Sequence, residues 1–92
     1  MLDMIVKAGK IEITEEDLKD FEDRGYAVSR HTPYYLNGVT CKIGEHFEIG
    51  LHCWMDNAEC WVNGNERVKI DNEEKADALL KLMDAIVAFN SI

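Results

Sequence analysis

Basic residues are scarce in this chain: ten Lys and Arg stand against eighteen Asp and Glu, a net charge of −8 over 92 residues. That balance repels phosphate backbones and acidic lipid, so direct nucleic-acid binding and membrane-surface binding are excluded. Arg24, Arg30, Lys42, Arg67 and Lys69 are scattered and form no basic stripe. Long apolar runs are missing too. The longest is Ala85–Phe89, far below the roughly 20 residues of a membrane span. Met1–Val6 is interrupted by Asp3 and has neither a basic lead nor a small-residue cleavage site, so it does not read as a signal peptide. Cysteine occurs three times, at 41, 53 and 60, with no CxxC spacing. The odd count argues against a disulfide framework and for a reduced, cytoplasmic compartment. There is one proline, no glycine-rich phosphate loop, and no repeat or low-complexity segment. The expectation is a single small acidic α+β domain over residues 1–92, with one modest core.

What is abundant is acid, and it is concentrated. Glu12, Glu15, Glu16, Asp17, Asp20, Glu22 and Asp23 lie within twelve residues, relieved only by Lys19. Thr14-Glu15-Glu16-Asp17 reads as a helix start. Thr14 caps the free N–H of Asp17, and the three acids meet the positive end of the helix dipole. Leu18 and Phe21 face inward, and Gly25 ends the helix. Before it, Ile5, Val6, Ile11 and Ile13 flank an Ala8-Gly9 turn, a short strand or hairpin.

From Tyr26 to Ile70 the apolar pattern has period 2, the strand signal. Asn37-Gly38 is a strong hairpin dipeptide and predicts a turn pairing Leu36 with Val39. Pro33 would place the first strand at an edge. A three-residue turn at 44–46 sets Cys41 opposite Ile49. A two-residue turn at 56–57 sets Cys53 opposite Cys60 and Leu51 opposite Val62. A three-residue turn at 63–65 sets Cys60 opposite Val68. Asp71-Asn72-Glu73-Glu74 reads as a second capping box. The following helix, to about Phe89, carries a broad stripe of Ala76, Leu79, Leu80, Leu82, Met83, Ile86, Val87 and Phe89 that should cover the sheet. The predicted fold is α+β: an antiparallel meander of four to five strands with an N-terminal and a C-terminal helix on one face.

This order is similar to that of double-stranded-RNA-binding domains, but only in topology. Those domains grip phosphates with basic residues at the start of the second helix. Here that position reads Asp71-Asn72-Glu73-Glu74-Lys75, so the resemblance carries no function over.

Two surfaces stand out as candidate sites. Glu12, Glu16, Asp20 and Asp23, with Glu15 nearby, would form an outward acidic row, either a solvated face or a mimic of a nucleic-acid backbone for a basic protein partner. Strand alternation sends His52, Trp54, Glu59 and Trp61 to the sheet's outer face, with His52 opposite Trp61, Trp54 opposite Glu59, and Arg67 across from Trp61 as a cation–π partner. That face is either covered by residues 1–13 or a partner or homodimer surface. Cys41, Cys53 and Cys60 read as buried thiols rather than metal ligands, and no cofactor is expected. Adjacent His52 and Cys53 diverge and form no catalytic dyad. His52 and Glu59, approaching diagonally, are a candidate base and orienter that reads as structural. No enzyme activity is expected.

In size, acidity and absence of chemistry the chain resembles small inhibitors carried by phages and mobile elements, which occupy the basic grooves of nucleic-acid-binding proteins. The likeness implies a host-cytoplasmic inhibitor. The rival is a homo-oligomeric structural or accessory protein joined through the Trp-bearing sheet face.

Overall fold

The computed structural model describes residues 6–7, 10–30, 37–54 and 57–92. Two short strands, β1 (Val6–Lys7) and β2 (Lys10–Ile11), pair antiparallel with Val6 opposite Ile11, as the alternation around Ala8-Gly9 suggests. Helix α1 (Glu15–Asp23) follows, then β3 (Ala27–Arg30), β4 (Asn37–Ile43), β5 (Phe47–Trp54), β6 (Asn57–Val62), β7 (Glu66–Lys69) and helix α2 (Glu73–Asn90). Strands β3 to β7 form one antiparallel sheet in sequence order. The fold is α+β, a five-stranded meander with an N-terminal and a C-terminal helix on one face.

The ends of α1 follow its sequence. The Thr14 hydroxyl accepts from the Asp17 N–H at 3.1 Å, and the Asp17 carboxylate accepts from the Thr14 N–H at 3.0 Å. This reciprocal box satisfies two donors that the helix start leaves without partners, which is why Asp17 can be 3% exposed. Gly25 follows with φ +103°, a conformation that L side chains rarely adopt. Helix α2 starts on Asn72, whose side chain accepts from the Lys75 N–H at 2.9 Å. Here the cap is a single bond; the expected reciprocal contact is absent from the N-cap geometry of α2.

The core lies between helices and sheet. Leu18 and Phe21 of α1 and Ala76, Leu80, Met83 and Ile86 of α2 pack with Val39, Cys41, Ile49, Leu51, Cys53, Ala58 and Cys60 from β4 to β6. Tyr26 and Arg24 tie the end of α1 to α2. The Tyr26 hydroxyl donates to Asp84 of α2, and Arg24 bonds both Asp20 (3.2 Å) and Asp84 (3.1 Å). The Arg24 guanidinium also lies over the rings of Phe21 and Tyr26. Burial and the bond to Asp84 push the Tyr26 phenol up.

The register agrees with the sequence reading at two turns and departs from it at two others. Ile43 faces Phe47 and Cys41 faces Ile49; Cys60 faces Val68 and Trp61 faces Arg67. Between β5 and β6, however, Leu51 faces Cys60 and Cys53 faces Ala58, not Val62 and Cys60. The shift is two residues, so every side chain keeps its face and the hydrophobic pattern alone does not register the difference. Asn37-Gly38 is not a turn. It lies inside β4, with Asn37 opposite Arg30 and Cys53, and Gly38 opposite Ser29 and His52. Pairing on both sides outweighs the local turn preference. Leu36, and the Pro33 on which the edge argument rested, lie outside the described residues; β3 is an edge strand.

Helix α2 also differs from expectation. Ala76, Leu79, Leu80, Met83 and Ile86 are buried, but Leu82 is 50% and Phe89 61% exposed. The sheet covers only about one side of a helix. Leu82 and Phe89 sit roughly 100° or more around the axis from Met83, by the 3.6-residue turn.

Candidate functional site

The two helices and the sheet differ in charge. Helix α1 holds six carboxylates against Lys19, and α2 holds Glu73, Glu74, Asp77 and Asp84 against Lys75 and Lys81. The helix layer therefore carries −7 of the net −8. Strands β3 to β7 carry Arg30, Lys42, Arg67 and Lys69 against Glu48, Glu59 and Glu66, a net of +1. Net negative charge is concentrated in the helices, which hold ten of the eighteen carboxylates.

Within that layer, Glu12, Glu15, Glu16, Glu22 and Asp23 are exposed and Asp20 is half-buried. Glu12 precedes the helix rather than continuing its row. Two of the acids have basic neighbours in the chain: Glu15 accepts from Arg30 and Asp20 from Arg24. Both pairs are substantially solvent-exposed and contribute little to stability. They hold acid side chains in position on the surface, and Asp17, buried in the capping box, is withdrawn from it.

The outer sheet face carries the second group. His52 faces Glu59 directly, Trp61 faces Gly50, and Trp54 faces Asn57. This corrects the expected pairs His52–Trp61 and Trp54–Glu59 by the same two-residue shift. The side chain of Trp54 lies outside the described residues. His52 and Trp61 still meet, as diagonal neighbours, edge to face with ring centroids 4.4 Å apart. The Arg67 guanidinium lies over the Trp61 ring at 4.1 Å from its centroid, and the Trp61 N–H donates to Glu59 at 3.2 Å. His52, Trp61 and Arg67 thus form a stack across β5, β6 and β7.

His52 is only 4% exposed, which alternation alone did not indicate for a residue on the face away from the helices. Gly50 makes part of the room. A Cβ there would stand 2.6 Å from Thr40 Cγ2, 2.9 Å from the Val39 carbonyl oxygen and 3.2 Å from His52 Nε2. Sequence reasoning missed Gly50, although a glycine inside an otherwise apolar strand signals a close approach. Burial, and secondarily the charge of Arg67, lower the His52 pKa to about 4. The imidazole is therefore neutral at neutral pH. It stands opposite Glu59, the geometry of a structural cross-strand pair.

Cys41, Cys53 and Cys60 are free and buried. Burial pushes the Cys41 thiol up to about 11 and the Cys53 thiol up to about 12, with Cys60 raised as well. Among the described residues no group of three His, Cys, Asp or Glu side chains is placed to hold a metal ion, and no helix is long and apolar enough to cross a membrane. A cleft between the α1–β3 turn, β4 and the end of α2 holds the Lys42–Glu48 ion pair (3.7 Å) beside Thr40 and Asn90.

No family model matches the chain, and comparison with curated proteins and with solved structures finds no match.

Proposed function

We propose that this chain is a small non-enzymatic binding protein that presents its acidic helix layer, α1 foremost, to the basic surface of a protein partner. A nucleic-acid-binding protein is the partner class that fits, with α1 standing in for a phosphate backbone and blocking the site. The observation that carries the reading is the segregation of charge: −7 on the helix layer against +1 on the sheet strands. Capping explains acids in the first turn of α1, but Glu22 and Asp23 stand in its last turn. There carboxylates oppose the helix dipole, a local cost that a binding surface accounts for. The outer-face stack supports the same choice. Trp61 is clasped by His52, Arg67 and Glu59 within the chain, so its contacts are largely internal.

The test is a pull-down with the tagged protein from nuclease-treated lysate at low and high salt, repeated with Glu16→Gln, Asp20→Asn and Asp23→Asn combined. The expected result is a stoichiometric nucleic-acid-binding protein that is lost at high salt and in the triple variant. A partner retained by the triple variant at unchanged affinity refutes α1 as the docking element.

A further inference from the structure

Helix α2 carries two apolar stripes. The first, Ala76, Leu79, Leu80, Met83 and Ile86, is buried on the sheet. The second, Ala78, Leu82, Ala85 and Phe89, is exposed along its whole length. Its spacing of four, three and four residues is the heptad spacing by which one helix packs along another. We propose that this outward stripe is the interface of a two-fold homodimer, in which α2 packs antiparallel on α2 of a second copy.

The stripe is complementary to itself in one direction only. With the chains antiparallel and the axis passing between the levels of Met83 and Asp84, Leu82 lies against Ala85 of the partner subunit. Phe89 then lies against Ala78 of the partner subunit. Each layer pairs a large side chain with a small one, and symmetry repeats both layers. A parallel pair would set Ala on Ala and Phe on Phe, leaving alternate layers hollow and crowded. A two-fold contact of this kind closes on itself and does not propagate.

Charge favours the same flank. Asp84, on the side of α2 away from Leu82 and Phe89, engages Arg24 and Tyr26, so the C-terminal end of α1 lies beside the flank opposite to the stripe. Two chains of net −8 can therefore meet along α2 with their α1 acids turned away. Ile43, Phe47 and Val68, exposed by 36–42%, lie on the helix-bearing face of the sheet. Two helices in contact over about three turns sit at the low end of specific interfaces, below roughly 1,200 Å² in total, so the dimer is a weak one, reversible at micromolar concentrations.

Sedimentation equilibrium of the full chain over a wide concentration range tests this. The expected result is a reversible monomer–dimer equilibrium that rising salt leaves intact or strengthens, since salt screens the net repulsion. Leu82→Lys, at a half-exposed position, should weaken it about tenfold or more with an unchanged circular dichroism spectrum, consistent with an apolar contact worth upwards of 1.4 kcal/mol. Ala78→Leu should also weaken it, because the larger side chain collides with Phe89 of the partner subunit. A chain that stays monomeric into the millimolar range overturns the proposal. So does a dimer indifferent to Leu82→Lys, or one that Ala78→Leu tightens.

Discussion

Acidification from pH 7 to pH 4 should destabilise this protein through His52, and the size of the effect follows from where that residue sits. The imidazole is 4% exposed on the outer sheet face, packed on Trp61 and over Gly50. Burial and the nearby Arg67 charge lower its pKa from 6.5 to about 4. Above pH 6.5 both folded and unfolded chains hold a neutral imidazole, and the contribution to stability is complete. Below 6.5 the unfolded chain takes up a proton that the folded chain resists until about pH 4, so stability falls as pH falls through that window. The separation corresponds to about 3 kcal/mol at its limit, a large share of the 5–15 kcal/mol typical of small domains. Urea unfolding followed by tryptophan fluorescence at intervals between pH 7.5 and 4 measures it. Carboxylates titrate in the same range, so the quantity to compare is the pH slope of wild type against His52→Gln, which keeps a polar side chain without a titrating ring. Wild type should lose about 3 kcal/mol more than the variant across the window. Parallel curves would show that His52 titrates near its ordinary value and is more open to solvent than its packing indicates.

Other consequences follow from the same packing. Gly50→Ala should cost about 1–3 kcal/mol, read from thermal or urea unfolding, because its Cβ would press on Thr40 Cγ2 and the Val39 carbonyl, and the latter is backbone and cannot turn aside. Thr14→Ala should cost about 1 kcal/mol by removing one half of the capping box and loosening Asp17. The three thiols should react slowly with a disulfide reagent at neutral pH in the folded protein and rapidly in urea, since burial both hides them and raises their pKa values. Rapid labelling of even one in native buffer would contradict its placement in the core.

Much of this fold was legible because its signals are local. Thr14, Asp17 and Gly25 mark the ends of α1 by hydrogen-bonding capacity and backbone freedom, properties that belong to those residues wherever they stand. The alternation of Cys41, Ile49, Leu51, Cys53 and Cys60 assigns each to the inner face, and the three-residue turns at 44–46 and 63–65 set two registers. The acidity of α1 and the outward direction of Glu59, Trp61 and Arg67 were equally plain. Reading failed where two local solutions were equivalent or where distant strands decided. The β5–β6 register shifts by two residues without changing any side chain's face, so periodicity could not choose between turns. Asn37-Gly38 carries a turn preference of a fraction of the energy that pairing with both β3 and β5 supplies.

Residue chemistry and periods of 2.0 and 3.6 were enough for both helices, for the faces of the strands and for the acidity of α1. That His52 is buried, that a Cβ at Gly50 would press on Thr40 and Val39, and that Leu82 and Phe89 of the apolar helix remain outside came from the tertiary structure alone. Each of those depends on which strand lies beside which, and on how much of a helix one sheet can cover.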